Sequence, residues 1–457
     1  MRRFPPGPRG VPVLGSLRAF RRDMPGFLLA TARAYGDVAH FRLGSRHVFL
    51  LSHPDHIGHV LVTDQSAFVK SRGLERMKPL FGEGLLTSEG SLHLRQRRLV
   101  QPAFHQRRLE TYGAEMVERA ERSQAEWRAG MTLDMAEAMR ALTLSVAGRT
   151  LFNVALESDA AQIGTAMNAL LEIFPRLLHP WAELLERFRP SAGRHFERER
   201  ERLDRIVYRL IAERRSSGED LGDVLSMLLR AEQEPGGASG TSEPTTAGTG
   251  MTDCQVRDEV LTLLLAGHET TANALAWTWY LLSRNPAAEA GFHSEVDEVL
   301  AGRPPRVEDL PRLAMTRRVL AESMRLFPPA WMIGRRALDD YEVEGYTLPA
   351  GGMVFMSQWV VHRDARYYPD PERFEPARWT EEEARRRPRF AYFPFGGGPR
   401  LCIGESFAWM EGVLLLASLG RRWRPRLVAD RPVAILPRVT LRPRGGIWMR
   451  LERRRPN

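Results

Sequence analysis

Two cysteines occur in the 457 residues, Cys254 and Cys402. Cys402 lies in FPFGGGPRLCIGESFAWMEGVLLLASLG (393–420), after a glycine-rich turn and ahead of a long apolar stretch. The spacing predicts a helix from about Cys402 to Arg422, with the thiol at its N-terminus. The helix dipole favours a thiolate there by roughly 0.3–1 kcal/mol, and by more where it is partly buried. Gly396, Gly397 and Gly398 let backbone N–H groups approach the sulfur. Gly404 leaves no side chain between the helix and a flat group held by that sulfur. Arg400 could reach an anionic group on such a ligand. Cys402 is thus a thiolate put to chemical use or an inert buried thiol at a helix start. With no CxxC pair, a disulfide framework and a zinc site built mainly on thiolates are excluded.

A second group of polar residues interrupts an apolar helix. Residues 252–284 read as one long helix, and VLTLLLAG (260–267) is apolar around its circumference, so this helix crosses the interior. Ala266-Gly267-His268-Glu269-Thr270-Thr271 follows within it. Polar groups placed there are costly to bury without partners or use. Glu322 and Arg325 stand at i and i+3 of a third helix and face together, as do His93 and Arg97 one turn apart in GSLHLRQRRLVQPAF (90–104).

The pattern Phe395-x-x-Gly398-x-Arg400-x-Cys402-x-Gly404 resembles the haem-binding signature of the cytochrome P450 family. The resemblance implies haem b (iron protoporphyrin IX) with Cys402 as its axial thiolate and metal ligand, and Phe395, Arg400 and Gly404 beside it. Glu322-x-x-Arg325 resembles the family's E-x-x-R motif. Arg373 of Pro371-Glu372-Arg373-Phe374 is expected to complete its buried Glu–Arg–Arg cluster. Residues 266–271 resemble the oxygen-activation motif. Ala266 and Gly267 would then border the cofactor, with Gly267 opening a groove for dioxygen. Thr270 would hydrogen-bond the oxygen and Glu269 would relay protons. His93 and Arg97 can pair with a haem propionate. Arg335 aligns with the family's propionate-binding arginine, with Arg336 as the alternative register.

The implied fold is mainly α with small β-sheets: a triangular helical prism with haem between the long central helix and the cysteine helix. The resemblance covers nearly the whole chain and looks most like the microsomal-type and bacterial fatty-acid-hydroxylase branch. A substrate pocket would be lined by Phe174, Leu177, Trp181, Leu263, Ala330, Trp331, Ile333 and Leu436. The implied reaction is monooxygenation of a hydrophobic small molecule: a terpenoid, fatty acid or polyketide. No GxGxxG fingerprint is present. Electrons are therefore expected from NAD(P)H through a separate ferredoxin and reductase. The alternatives are a peroxide-using or isomerising haem-thiolate enzyme and a non-catalytic haem sensor; Glu269 and Thr270 weigh against the former.

These residues need elements to place them. A Pro-rich lead-in (1–22) precedes a helix at 25–35 and a hairpin of VAHFRL (38–43) and HVFLLS (47–52) around Gly44-Ser45. Helical spacing dominates from about 89 to 232, including an amphipathic helix at 195–215. The insert at 233–251 holds no large apolar residue before Met251 and reads as a flexible loop ahead of the central helix. Helices are expected at 286–300 and 311–326, and short strands end the chain. One domain over 1–457 is expected.

A 43% hydrophobic fraction excludes disordered and collagen-like classes. The net charge is +10, carried by 66 basic residues against 56 acidic ones. The absence of basic blocks and zinc-finger motifs argues against nucleic acid as partner. No apolar run of about 20 residues exists, so no membrane span is expected. A cytoplasmic monomer is the expectation.

Overall fold

The computed structural model describes residues 3–153, 163, 166, 169–170, 190–230 and 251–454. The long helices are α1 (Met24–Tyr35), α2 (Gly90–Val100), α3 (Gln106–Ser123), α4 (Met135–Phe152), α5 (Pro190–Ser217), α6 (Asp253–Arg284), α7 (Pro286–Leu300), α8 (Ala314–Leu326) and α9 (Glu405–Gly420). The strands are short: β1 (Val38–Leu43), β2 (Arg46–Leu51), β3 (Phe68–Lys70), β4 (Thr132–Asp134), β5 (Ile333–Ala337), β6 (Tyr341–Val343), β7 (Tyr346–Leu348), β8 (Met353–Met356), β9 (Trp423–Leu427), β10 (Ala434–Pro437), β11 (Leu441–Arg444) and β12 (Trp448–Arg453). The chain is mainly helical with small sheets, as its periodicity predicts.

Two compact units emerge, one of Met1–Gly73, Ala120–Arg140 and Thr270–Asn457, the other of Leu74–Arg119 and Ala141–Glu269. Their boundary falls inside α6 rather than at a linker. In the first unit, five strands form a sheet in the order β1-β2-β8-β5-β3. The β1–β2 hairpin turns at Gly44, whose φ of +65° suits glycine at the first turn position. β2 pairs in parallel with β8, and β5 lies antiparallel to both β8 and β3. The two-residue period puts Ile333, Arg335 and Ala337 on one face of β5. Ile333 and Ala337 belong to the apolar cluster around Phe49, Val354 and Phe393. Residues 410–420 of α9 are all buried, so this helix is enclosed on every side.

The second unit contains α2, α4, α5 and the first half of α6. Here acidic side chains of α6 hold a loop. Asp258 accepts the Glu83 amide at 2.9 Å and Glu259 the Leu85 amide at 3.1 Å. A Cβ at Gly82 would lie 1.9 Å from Asp258 Oδ2, so the loop can lie this close only with glycine.

Two local expectations are corrected. The last helix begins at Glu405, not Cys402, with Gly404 at its N-cap. Leu401 is extended (φ −52°, ψ 143°), and the Cys402 amide donates to Phe395 O at 3.0 Å, which commits it to the loop. The helix expected at 311–326 is split: a 3-10 turn at Val307–Arg312 contains Pro311, and α8 starts afresh at Ala314. There Glu295 caps the new N-terminus, accepting the Met315 and Thr316 amides at 2.5 and 2.8 Å. The Pro-rich lead-in ends in a short helix, Leu17–Arg22. The insert at 233–250 lies outside the described residues.

Candidate functional site

Cys402 is exposed, which removes the reading of an inert buried thiol. The loop that carries it is tightly fixed. At Gly398 (φ +67°) a Cβ would sit 1.9 Å from Leu61 O, and at Gly397 it would sit 2.6 Å from the Phe390 ring. Upstream, Phe393 is held through its backbone. Its N–H donates to His362 Nε2 at 3.1 Å, and its carbonyl accepts from Gln358 Nε2 at 3.2 Å. Tyr368 Oη donates to Ala391 O and Tyr392 Oη to Ala321 O, both at 3.0 Å. His362 is fully buried. Burial, with Arg325 and Arg363 nearby, holds its pKa well below the usual imidazole range. It therefore stays neutral and can accept the Phe393 amide. Phe395 packs its ring 5.7 Å from that of Trp409, which lies 4.4 Å from the Arg317 guanidinium. Arg400 closes the 3-10 turn Gly398–Arg400 and is half-buried.

The polar cluster behind this loop is saturated. Arg325 and Glu322 are wholly buried and joined by two bonds of 2.8 Å. Arg325 also donates to the carbonyls of His362 (2.8 Å), Pro371 (2.6 Å) and Arg373 (3.0 Å), which uses every guanidinium proton. Glu322 further accepts the Glu375 amide and Trp379 Nε1, both at 2.9 Å. Desolvation of such a pair is offset only by bonding of this completeness.

The second arginine of the cluster is Arg378, not Arg373. Arg378 Nε lies 3.5 Å from Glu322 Oε1, with a side chain 11% exposed. The Arg373 guanidinium is 68% exposed and pairs with Glu375 at 3.0 Å; only its carbonyl joins the cluster. The sequence offers two Pro-x-Arg-aromatic copies, Pro371-Glu372-Arg373-Phe374 and Pro376-Ala377-Arg378-Trp379. The second carries an indole N–H, a donor that phenylalanine lacks, and that signal distinguishes the copies. Arg378→Ala is expected to destabilise by about 1–3 kcal/mol and Arg373→Gln by less than about 0.5 kcal/mol. Urea unfolding of both variants checks this, and the reverse order would contradict the assignment.

In α6 the buried run breaks at one place. Residues 256–265 are buried or nearly so, then Ala266 is exposed and Gly267 and Thr270 are half-exposed, while His268 and Glu269 are buried. Positions 266, 267 and 270 share one helix face. His268 bonds back to Leu264 O at 2.5 Å, and its carbonyl accepts Thr143 Oγ1 at 3.0 Å. A Cβ on Gly267 would point at Leu151 Cδ1 (3.4 Å) and Ala147 Cβ (3.7 Å). These are ordinary van der Waals distances, so packing on α4 does not itself require glycine at this position. Sequence reasoning also passed over Glu411 of α9. It is fully buried, and burial pushes its carboxyl up to about 8 against the pull of a Thr271 hydrogen bond.

Arg335 is buried on the apolar face of β5, while Arg336 lies on the opposite face and is half-exposed. A guanidinium on an apolar face suits an incoming carboxylate. His93 is buried and Arg97 half-buried on one face of α2. Of the expected pocket residues, Trp331 is packed in the core beside Phe355 and Leu441, its indole bonded to Arg438 O at 3.0 Å, so it is corrected to a structural residue. Leu263 is buried, and Ala330, Ile333 and Leu436 are half-exposed. Phe174, Leu177 and Trp181 lie outside the described residues.

The residues present fit haem. Among the described residues no group of three His, Cys, Asp or Glu could hold a metal ion. Iron in a porphyrin brings its own ring nitrogens and needs only an axial donor. An exposed thiol on a rigid loop is such a donor, and Arg335 is placed to take a carboxylate.

Comparison with known proteins bears on family and fold. The family model described as Cytochrome P450 matches residues 5–449. A cyclooctatin synthase of Streptomyces melanosporofaciens is 41% identical over 95% of this chain and 92% of its own length. A cyclooctat-9-en-7-ol 5-monooxygenase from the same species is 40% identical over 92% and 89%. A pentalenene oxygenase of Streptomyces avermitilis is 33% identical over 94% and 93%. The crystal structure of a cytochrome P450DA heme domain superposes with a TM-score of 0.86 at 27% identity, covering 99% of this chain and 98% of the other.

Proposed function

This chain belongs to the cytochrome P450 family, and on that premise we propose that it oxidises a cyclic terpenoid alkene or alcohol, with Cys402 as the ligand of its haem. It is an oxygen-incorporating oxidoreductase, and haem b with a cysteine thiolate is the cofactor of this family and fold. One observation carries the choice of Cys402: its thiol is exposed at the end of a loop held by His362, Gln358, Tyr368 and Tyr392. Cys254, the other thiol, lies in the first turn of α6 and has no such loop.

Bound haem would supply dioxygen activation, with the Cys402 thiolate as its electron-donating ligand. The remaining work falls to side chains of this chain. Arg335 and Arg400 would hold the cofactor's carboxylates, a role that the family resemblance also gives to His93 and Arg97. Thr270 presents a hydroxyl on the accessible face of α6, and Glu269 next to it feeds protons to that face. Ala266, with no bulk beyond Cβ, leaves that face open, with the apolar Leu263 one turn before it; in the first unit Ala330, Ile333 and Leu436 are candidate apolar contacts for the substrate. Electrons come from NAD(P)H through a ferredoxin and its reductase. The excess of arginine favours an acidic donor.

The substrate class rests on the names of the relatives, an alkene (pentalenene) and an unsaturated alcohol (cyclooctat-9-en-7-ol). A spin-state titration of the ferric protein tests it, with cyclic terpenoids, long-chain fatty acids, steroids and macrolides as panel. A shift to high spin is expected with cyclic terpenoids. A shift confined to another class overturns this choice of substrate. Thr270→Ala is expected to keep substrate binding while product formed per NAD(P)H falls about tenfold or more. Undiminished coupling would contradict the role given to the hydroxyl.

A further inference from the structure

The N-terminal segment holds an apolar tip that neither the core nor the reaction uses. Val11 and Gly15 exchange backbone bonds of 3.0 and 2.8 Å, closing a tight turn with Pro12, Val13 and Leu14 at its apex. The turn is anchored on the β1–β2 hairpin: Ser16 N–H donates to Arg42 O at 2.7 Å and Gly44 N–H to Leu14 O at 3.0 Å. Val13 sits at φ +66°, a conformation that strains a β-branched residue. Its side chain is 77% exposed, and that of Val11 53%. Glycine or asparagine would suit this turn better. An apolar group held in water against backbone strain contributes nothing to this fold, so its use lies outside the chain.

The segments that carry the tip are rich in arginine, with Asp23 and Asp37 at their borders. Residues 1–22 and 38–51 contain eight arginines and no aspartate or glutamate. Arg9, Arg18, Arg21, Arg22 and Arg42 are exposed and form no ion pair among the described residues. Elsewhere some exposed arginines are paired, such as Arg366 with Asp37 and Asp364, and Arg386 with Glu382 and Glu383, while others, such as Arg98 and Arg444, form no ion pair among the described residues.

We propose that this tip docks on an anionic lipid surface, with Val11 and Val13 entering the headgroup region and the arginines facing lipid phosphates. An acidic protein would satisfy the arginines but would need a pocket shaped for the protruding Val13, whereas a bilayer deforms around it. No helix among the described residues is long and apolar enough to cross a membrane, so the association is peripheral. One small apolar tip plus a polybasic surround gives weak, reversible and salt-sensitive binding. The proposal stands independently of the substrate assignment.

The test is flotation of the full-length haem-loaded protein with vesicles. Binding is expected to phosphatidylglycerol–phosphatidylethanolamine vesicles at low salt, fading as salt rises, and not to phosphatidylcholine vesicles. Val13→Gly removes the apolar group while relaxing the backbone. It is expected to weaken partitioning about tenfold with thermal stability equal or higher. Arg9→Gln with Arg42→Gln is expected to weaken it about 25-fold, at about fivefold per charge. Three results would overturn the proposal: no binding to the anionic vesicles, equal binding to both kinds, or binding indifferent to these substitutions. Val13-dependent binding to an acidic ferredoxin without vesicle binding would also overturn it.

Discussion

Cys402→Ser is expected to fold, and to lose the red-shifted carbon monoxide band of the reduced protein together with all monooxygenation. The hydroxyl is nearly isosteric, and the loop's contacts are made by other residues: Gly397 and Gly398 against Phe390 and Leu61, and Phe393 against His362 and Gln358. Stability therefore changes little, while the electron-rich sulfur donor disappears. Turnover driven by NAD(P)H falls to background. A thermal melt of both proteins separates loss of ligand from loss of fold. Cys254→Ser serves as the control and should keep the band. Survival of the band in Cys402→Ser, or its loss in Cys254→Ser, would contradict the assignment.

Arg325→Ala is expected to have the largest effect on stability. It removes every hydrogen bond of a fully buried guanidinium and strands the Glu322 carboxylate beside the carbonyls of His362, Pro371 and Arg373. Breaking a buried pair in this way costs about 3–5 kcal/mol, a large share of an ordinary margin of about 5–15 kcal/mol. Most of the protein should then be recovered without haem or aggregated. Should none be recovered, Trp379→Phe gives the graded version. It deletes one 2.9 Å donor to Glu322 and should cost about 1.5–3 kcal/mol in urea unfolding. Wild-type stability in Trp379→Phe would show that the cluster does not hold this part of the fold.

The parts of the site that were legible in the sequence are those encoded over short spacings. Cys402 and its glycines lie within ten residues, and Glu322 and Arg325 within one helical turn. The hairpin at 38–51 and the apolar helix α6 were legible because their periodicity is local. What was not legible depends on long-range contact. His362, Gln358 and Tyr392 hold the thiol loop across separations of 31 to 71 residues. The two Pro-x-Arg-aromatic copies differ in sequence by the Trp379 indole, whose weight depends on a partner 57 residues away, Glu322. Helical spacing extends α9 three residues too far towards the N-terminus because it does not register that the Cys402 amide is taken by Phe395 O. Trp331 reads as pocket lining from its place after α8, yet its indole turns to the Arg438 carbonyl in the core.

The proposed activity is insertion of one atom of dioxygen into a cyclic terpenoid, with Cys402 as the thiolate. The most direct measurement is turnover of a cyclic terpenoid alkene such as pentalenene under 18O2, with NAD(P)H, a ferredoxin and its reductase. The account predicts a product carrying a single 18O per oxidation, absent with Cys402→Ser. Product whose oxygen comes from water, or product formed equally by Cys402→Ser, would contradict it.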